Sequence, residues 1–278
     1  MEYPMATLLK GAGPDVAVHE WMHSWYQGML GTNESLYPWM DEGFTQYAES
    51  RILSWLTKDT GFAQADNYAG YYGLVKTNRE EPLTTHADHY NTNSAYSSAS
   101  YLKGAVFMEQ LGYIIGADIR DRLLLEYYNN WRFKHPDVDD FIRLAEKVSS
   151  MKLDWYKEYW VNSTKTIDYT IDSLWEEGSA TNIRLKNLGL MPMPVDVKIT
   201  FRDGSSEWHY VPMYLMFGEK PAEEGQEKRK VYSSWKWTHP RFQISSSRKL
   251  TEISSVEIDP SYIMADVDRR NNKLVLKW

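Results

Sequence analysis

Apolar side chains recur at helical spacing through the first half of the chain. From residue 14 to about residue 163, positions three and four apart are repeatedly apolar, as on the buried face of a helix. Pro and Asp residues lie where helix starts are expected, and Gly residues lie near the expected ends. The pattern predicts five main helices, over 16–30, 39–56, 101–115, 119–131 and 138–148.

The pattern changes after about residue 166 to short runs of alternating or β-branched residues. Residues 195–201 have this character, and 202–205 have the composition of a hairpin turn. The charged segment 218–230 is expected to form an exposed loop. Several short strands at this spacing predict a β-sandwich. The remaining strand-like runs are 207–217, 230–237 and 254–258.

These two patterns predict a boundary between residues 163 and 170. We therefore expect two domains, a mostly helical one at 1–165 and an all-β one at 166–278. The length of 278 residues agrees with this division, since it exceeds the usual size of one compact domain. The predicted fold class is α+β, with a helical core followed by an immunoglobulin-like sandwich.

Composition narrows the chemistry that the chain can support. It has no cysteine, which excludes disulfides, thiolate metal sites and a cysteine nucleophile. The 31 basic and 38 acidic residues give a formal net charge of −7, which argues against nucleic acid as a partner. No run approaches the roughly 20 apolar residues that span a bilayer, so no membrane span is expected, and the compartment stays open.

A metal-binding pattern lies in the first predicted helix. His19-Glu20-Trp21-Met22-His23 fits His-Glu-x-x-His, and positions four apart lie on one face of a helix. Both imidazoles can then reach one ion while Glu20 projects beside them. This geometry suits tetrahedral zinc, with Glu20 taking a proton from the attacking water and passing it to the leaving amine.

A third ligand lies nineteen positions after His23. Glu42 is near the start of the next predicted helix, and two imidazoles with one carboxylate leave the fourth position of a catalytic zinc for water. The alternative is that these are ordinary helix residues, with Glu42 favoured by the helix dipole. Glu49 lies two turns further on the same face, and Asp41 precedes Glu42. Both could orient a ligand imidazole, unless Glu49 is a surface residue and Asp41 caps the helix.

With this spacing, the sequence resembles the aminopeptidase N family of zinc metallopeptidases (gluzincins), which includes leukotriene hydrolase. The segment Tyr101-Leu102-Lys103-Gly104 is similar to the family's Tyr-x-Lys-Gly, whose tyrosine hydroxyl hydrogen-bonds the developing oxyanion. The resemblance therefore implies that Tyr101 is a catalytic residue, since such a donor is useful where charge appears in the transition state. It also implies a thermolysin-like catalytic core in the helical half and the family's sandwich domain in the β half.

The first residues resemble the end of the family's Gly-x-Met-Glu-Asn motif. In Met1-Glu2-Tyr3-Pro4, Glu2 would bind the free amino group of the substrate, with Tyr3 at the family's Asn. A carboxylate fixed near the metal favours a substrate ammonium, which explains the removal of N-terminal residues. The family has an N-terminal β domain before this motif. The chain is therefore expected to be a C-terminal fragment, poorly active by itself, of a parent protein that could be exported.

The predicted function is a zinc-dependent aminopeptidase that holds one zinc ion and acts on peptides with a free N-terminus. A thermolysin-type endopeptidase is the alternative among enzymes, and equal cleavage of amino-blocked peptides would support it. A non-catalytic zinc-containing interaction module is the alternative outside enzymes. The presence of both Glu20 and Tyr101 argues against such a module, because binding alone requires neither residue.

Overall fold

Helices make up most of the first part of the chain, and strands are the main regular structure of the second. In this computed structural model the chain divides into two units, Met1–Thr164 and Lys165–Trp278. The structure describes residues 2, 3 and 5–277, and it describes Glu2 and Gln27 by their backbone alone. The order of elements confirms the predicted α+β class. None of the described helices combines the length and the apolar character needed to cross a bilayer.

The helical unit begins with a hairpin and continues with α-helices and two π-helical segments. The hairpin strands are β1 (Glu2–Tyr3) and β2 (Ala6–Thr7). The α-helices are α1 (Pro14–Met22), α2 (Pro38–Thr57), α3 (Ala65–Thr77), α4 (Asn93–Ser97), α5 (Gly104–Ile115), α6 (Ala117–Trp131), α7 (Val138–Ser149) and α8 (Asp154–Trp160). The first π-helix is Ser24–Met29 and the second is Ser98–Lys103.

Three of the five predicted helices are confirmed with small shifts at their ends, as α2, α6 and α7. The prediction of one continuous helix at 16–30 is wrong. Helix α1 ends at Met22, and the first π-helix begins at Ser24. The helix predicted at 101–115 is α5 preceded by part of the second π-helix. Helix α3 was not predicted, because tyrosines and an asparagine rather than aliphatic residues form most of its buried face.

Helix α5 lies at the centre of the helical unit, and all of its residues except Glu109 are buried. Aromatic rings of α2 pack against α5 and α7. The ring centroids of Trp39 and Phe107 lie 4.8 Å apart, and those of Phe44 and Phe141 lie 5.0 Å apart. Because each such ring buries a large apolar area, this cluster fixes the position of α2 in the unit.

The backbones of α2 and α5 approach closely at Gly43 and Gly104. A Cβ atom at Gly43 would lie 2.6 Å from the Gly104 Cα and 2.8 Å from the carbonyl oxygen of Ser100. A Cβ atom at Gly104 would in turn lie 2.8 Å from the Gly43 Cα. Neither position has room for a side chain. The two glycines therefore bring Glu42, which precedes Gly43, close to the second π-helix.

The second unit contains two sheets. One has the strand order β3-β4-β8 and the other the order β10-β9-β5-β6-β7. Strands β3 and β4 thus share a sheet with β8, while β5 in the other sheet pairs with β9. The chain therefore passes between the two sheets, as in an immunoglobulin-type sandwich. The strands are β3 (Tyr169–Glu177), β4 (Ala180–Asn187), β5 (Val195–Phe201), β6 (Ser206–Val211), β7 (Lys230–Val231), β8 (Arg241–Ser246), β9 (Ile253–Ile258) and β10 (Lys273–Val275).

The strand predictions are confirmed in part. The strand predicted at 195–201 is β5, but β6 and β7 are shorter than the runs predicted there. The exposed loop predicted at 218–230 is wrong for Lys220 and Gln226, which are buried. The Lys220 ammonium donates hydrogen bonds to Asp196 on β5 and to Glu223, so its charge is compensated inside the unit.

The glycine contact predicts a position-specific loss of stability. Gly104→Ala would force the α2 and α5 backbones apart, and we expect it to lower the free energy of unfolding by about 1–3 kcal/mol, as overpacking does. Gly73→Ala is the control, because a Cβ atom there meets no heavy atom within 4 Å, and Ala is favoured over Gly in a helix. Urea denaturation followed by circular dichroism compares the two. Equal stabilities would contradict the close approach.

Candidate metal centre

His19 and His23 lie at the end of α1. His19 belongs to the last turn of the helix, and His23 is the residue that follows it. Although the α-helix ends at Met22, the two rings remain neighbours, with centroids 4.9 Å apart and planes at 78°. Both side chains are largely buried, with relative side-chain exposures of 11% for His19 and 2% for His23. The spacing of four residues therefore brings the two imidazoles together, as the sequence predicted.

Glu42, in the first turns of α2, reaches both rings. Its Oε2 atom lies 3.0 Å from His19 Nε2 and 3.3 Å from His23 Nε2. The three residues offer ligand atoms that all lie within 4.8 Å of one another. Two imidazole nitrogens and one carboxylate oxygen form the donor set of catalytic zinc sites that keep a fourth position open. These three residues could therefore hold a metal ion.

The other nitrogen of each ring faces a carboxylate. His19 Nδ1 lies 2.9 Å from Glu49 Oε2, and His23 Nδ1 lies 2.7 Å from Asp41 Oδ1. Metal-binding histidines commonly donate their second ring N–H to a carboxylate, which fixes the tautomer and the orientation of the ring. This arrangement favours a proton on each Nδ1 and directs each Nε2 at Glu42. The structure thus places Glu49 and Asp41 where they can orient the two imidazoles.

The carboxylates also favour protonated imidazoles. Burial disfavours the charged form of His19, but hydrogen bonds to Glu42 and Glu49 outweigh it and raise its pKa to about 9. The same balance, with Asp41 and Glu42 as partners, raises the pKa of His23 to about 11. Burial opposes ionisation of Glu42, yet hydrogen bonds from the two rings and from Tyr101 lower its pKa to about 2. A metal ion at this site therefore competes with protons for the Nε2 atoms.

Tyr101, in the second π-helix, completes the group around Glu42. Its hydroxyl donates a hydrogen bond to Glu42 Oε1, the carboxylate oxygen that does not face the histidines. Its ring stacks on His19, with centroids 5.6 Å apart and planes at 14°. Burial and the neighbouring Glu42 charge raise the pKa of Tyr101 well above its usual range. The phenol therefore remains a hydrogen-bond donor at neutral pH.

The structure describes the side chain of Glu20 but only the backbone of Glu2, the two remaining predicted site residues. Glu20 follows His19 on α1 and is half-buried. The backbone of Glu2 pairs with Thr7 in the hairpin of β1 and β2. The side chain of Glu2 lies outside the described part of the chain, so its contact with a substrate amine stays a prediction.

Two contacts of His23 were not among the sequence-based expectations. The Nδ1 atom lies 3.2 Å from the carbonyl oxygen of Tyr26 and 3.4 Å from Thr45 Oγ1. Thr45 is four residues after Asp41, so helical spacing places both side chains on the same face of α2. That spacing is the signal that would have indicated Thr45. The Tyr26 contact depends on the first π-helix and has no comparable signal in the sequence.

Known proteins show similarity mainly to the helical part of the chain. Residues 10–160 match the family described as "Peptidase family M1 domain". "Leucine aminopeptidase 2" of Chaetomium globosum is 26% identical over 51% of this chain and 26% of its own length. Human "Aminopeptidase B" is 30% identical over 52% of this chain and 22% of its own length. The chain thus spans about a quarter of the length of these curated relatives.

Similarity of fold extends further along the chain. The crystal structure of Legionella pneumophila aminopeptidase A in complex with aspartic acid aligns with 91% of this chain and 26% of that protein. The TM-score is 0.54 and the sequence identity is 12%, so this likeness concerns the fold alone. The family match, by contrast, covers more than half of the 278 residues and includes every residue of the candidate metal centre. The chain therefore belongs to peptidase family M1.

Proposed function

We propose that this chain forms the catalytic centre of a zinc-dependent aminopeptidase that removes N-terminal residues from peptides. The observation that carries the proposal is the convergence of His19 Nε2, His23 Nε2 and the Glu42 carboxylate, with each Nδ1 facing another carboxylate. M1 peptidases use zinc, and two relatives of this chain are named as aminopeptidases. Both observations support the proposal.

The residues present fit a single zinc ion. His19 and His23 supply nitrogen ligands, and Glu42 supplies the oxygen ligand. The carboxylates of Glu49 and Asp41 hold the rings by their Nδ1 atoms, which leaves Nε2 as the ligand atom in both. Three protein ligands leave one coordination position for water or substrate. When bound, zinc would lower the pKa of that water and polarise the scissile carbonyl group.

Glu20 and Tyr101 would then perform the proton transfer and stabilise the developing charge. The Glu20 carboxylate accepts a proton from the attacking water and returns it to the nitrogen of the leaving amine. The Tyr101 hydroxyl moves its hydrogen bond from Glu42 to the substrate carbonyl oxygen as negative charge develops there. Glu2 would bind the substrate ammonium and so restrict the reaction to the first peptide bond of the substrate.

Removal of the general base is expected to abolish most turnover without loss of metal. Glu20→Gln keeps the size of the side chain but cannot accept the proton, and general base catalysis typically contributes about 10²–10⁴-fold. The expected result is a fall of that size in kcat on aminoacyl chromogenic substrates, with unchanged zinc content by elemental analysis. Glu126→Gln on α6 is the control for a lost negative charge. A Glu20→Gln protein with full activity would exclude the assignment of the base.

Blocking the substrate amine tests whether the peptidase acts at the N-terminus. Acetylation removes the ammonium that a carboxylate near the zinc would bind, and loss of a charge-assisted contact of this kind is worth about 10²-fold or more in kcat/KM. We expect free aminoacyl substrates to be cleaved at least that much faster than their acetylated forms, measured by chromatography of the products. Equal rates would identify an endopeptidase instead.

Zinc binding is expected to strengthen with pH and to release protons. The pKa values of about 9 for His19 and about 11 for His23 mean that both rings are protonated at pH 7, whereas ligands must be neutral. Binding at pH 7 should therefore release about two protons per ion, and about one at pH 10, where His19 is already neutral. Calorimetric titration in buffers with different ionisation enthalpies measures this number. A heat that is independent of the buffer would contradict the protonated resting state.

A further inference from the structure

Lys103 is the last residue of the second π-helix, two residues after Tyr101, and its side chain is completely buried. Its Nζ atom donates hydrogen bonds to Glu80 Oε1 at 2.6 Å and to the carbonyl oxygen of Ser163 at 3.1 Å. The exposed fraction is 0% for the Lys103 side chain and 6% for that of Glu80. Side chains two residues apart on a helix do not share a face, so Lys103 and Tyr101 extend to different sides of the segment.

The ion pair between Lys103 and Glu80 joins three parts of the helical unit. Lys103 ends the second π-helix, Glu80 follows α3, and Ser163 follows α8. Removing both charges from water costs several kcal/mol per ion, and apolar side chains of similar volume are often at least as stabilising. Stability alone therefore does not account for a buried pair here. What the pair provides, and an apolar contact does not, is a directional link with two defined hydrogen bonds.

Tyr101 requires such a link, because its hydroxyl must reach one particular atom. The segment that carries it is π-helical rather than α-helical, and such segments are frequent at functional sites. Leu102 of this segment packs against α3 at Gly70, where a Cβ atom would lie 2.2 Å from Leu102 Cδ1. A displacement of about 1 Å at a reacting group can reduce the rate 10²-fold. A restraint at Lys103 thus acts two residues from the hydroxyl that donates to Glu42.

We propose that Lys103, through its buried ion pair with Glu80, is a positioning residue that holds the Tyr101 hydroxyl at the metal centre. The proposal rests on the proposed function, since Tyr101 acts on the substrate only within it. Lys103 does not contact the substrate. Its effect on catalysis passes entirely through Tyr101, and loss of the pair has no further effect once the hydroxyl is absent.

Replacement of the whole pair tests this in the zinc-loaded 278-residue chain. Lys103→Met alone would leave the Glu80 charge buried and unpaired, so the variant is the double replacement Lys103→Met/Glu80→Met. We expect kcat to fall about ten- to hundredfold while KM changes less than about twofold. In the Tyr101→Phe background the same replacement is expected to change kcat by less than about twofold. The control is Lys157→Met/Asp139→Leu, which removes an ion pair between α8 and α7 and should leave kcat unchanged.

A second measurement does not depend on activity. In metal-free protein the Tyr101 hydroxyl donates to Glu42, so Tyr101→Phe should lower the urea midpoint of the helical signal. In the Lys103→Met/Glu80→Met background that shift should be at most half as large. Equal shifts in the two backgrounds, or equal falls in kcat with and without the Tyr101 hydroxyl, would overturn the positioning role. If the unsubstituted 278-residue chain turns over no substrate while the midpoints remain coupled, the proposed function fails for this chain and the positioning role stands.

Discussion

The candidate metal centre depends on the contacts that the Glu42 carboxylate makes with two histidines and a tyrosine. One of its oxygens faces the Nε2 atoms of His19 and His23, and the other accepts the hydrogen bond of Tyr101. Three elements therefore meet at one side chain: the end of α1, the start of α2 and the second π-helix. A largely buried carboxylate is tolerated when its charge is compensated by hydrogen bonds, and the partners of Glu42 among the described residues belong to the same centre.

The sequence predicted the parts of this centre that depend on short spacings. The spacing of four from His19 to His23 and the spacing of seven from Glu42 to Glu49 translate directly into shared helix faces. It did not predict the change from α-helix to π-helix on either side of the centre, because an extra residue in a turn is selected by tertiary packing rather than by local pattern. The expectation that Tyr101 acts beside the metal rested on family resemblance alone, and its contact with Glu42, 59 residues earlier, was not predicted.

In the β unit too, the sequence predicted features that depend on local pattern and missed those that depend on distant residues. The alternation in β5 was visible, but β3 has an irregular register between Ile171 and Ser173, which interrupts its alternation of inward and outward side chains. That irregularity explains why a nine-residue strand was missed. In the segment 218–230, charged composition indicated exposure, yet the partner that allows Lys220 to be buried is Asp196, 24 residues earlier. Composition cannot identify a partner of that kind.

Helix α2 supplies the three carboxylates that face the two imidazoles. Asp41 and Glu49 reach the Nδ1 atoms and Glu42 reaches the Nε2 atoms, so the packing of α1 on α2 determines the positions of the three candidate metal ligands. The second π-helix supplies none of the ligands, only the phenol that contacts Glu42. In the proposed function, metal binding and stabilisation of the transition state would therefore depend on different helix contacts. The glycine pair and the Lys103 ion pair act on the second of these contacts, so under the proposed function a change there is expected to reduce turnover while the metal stays bound.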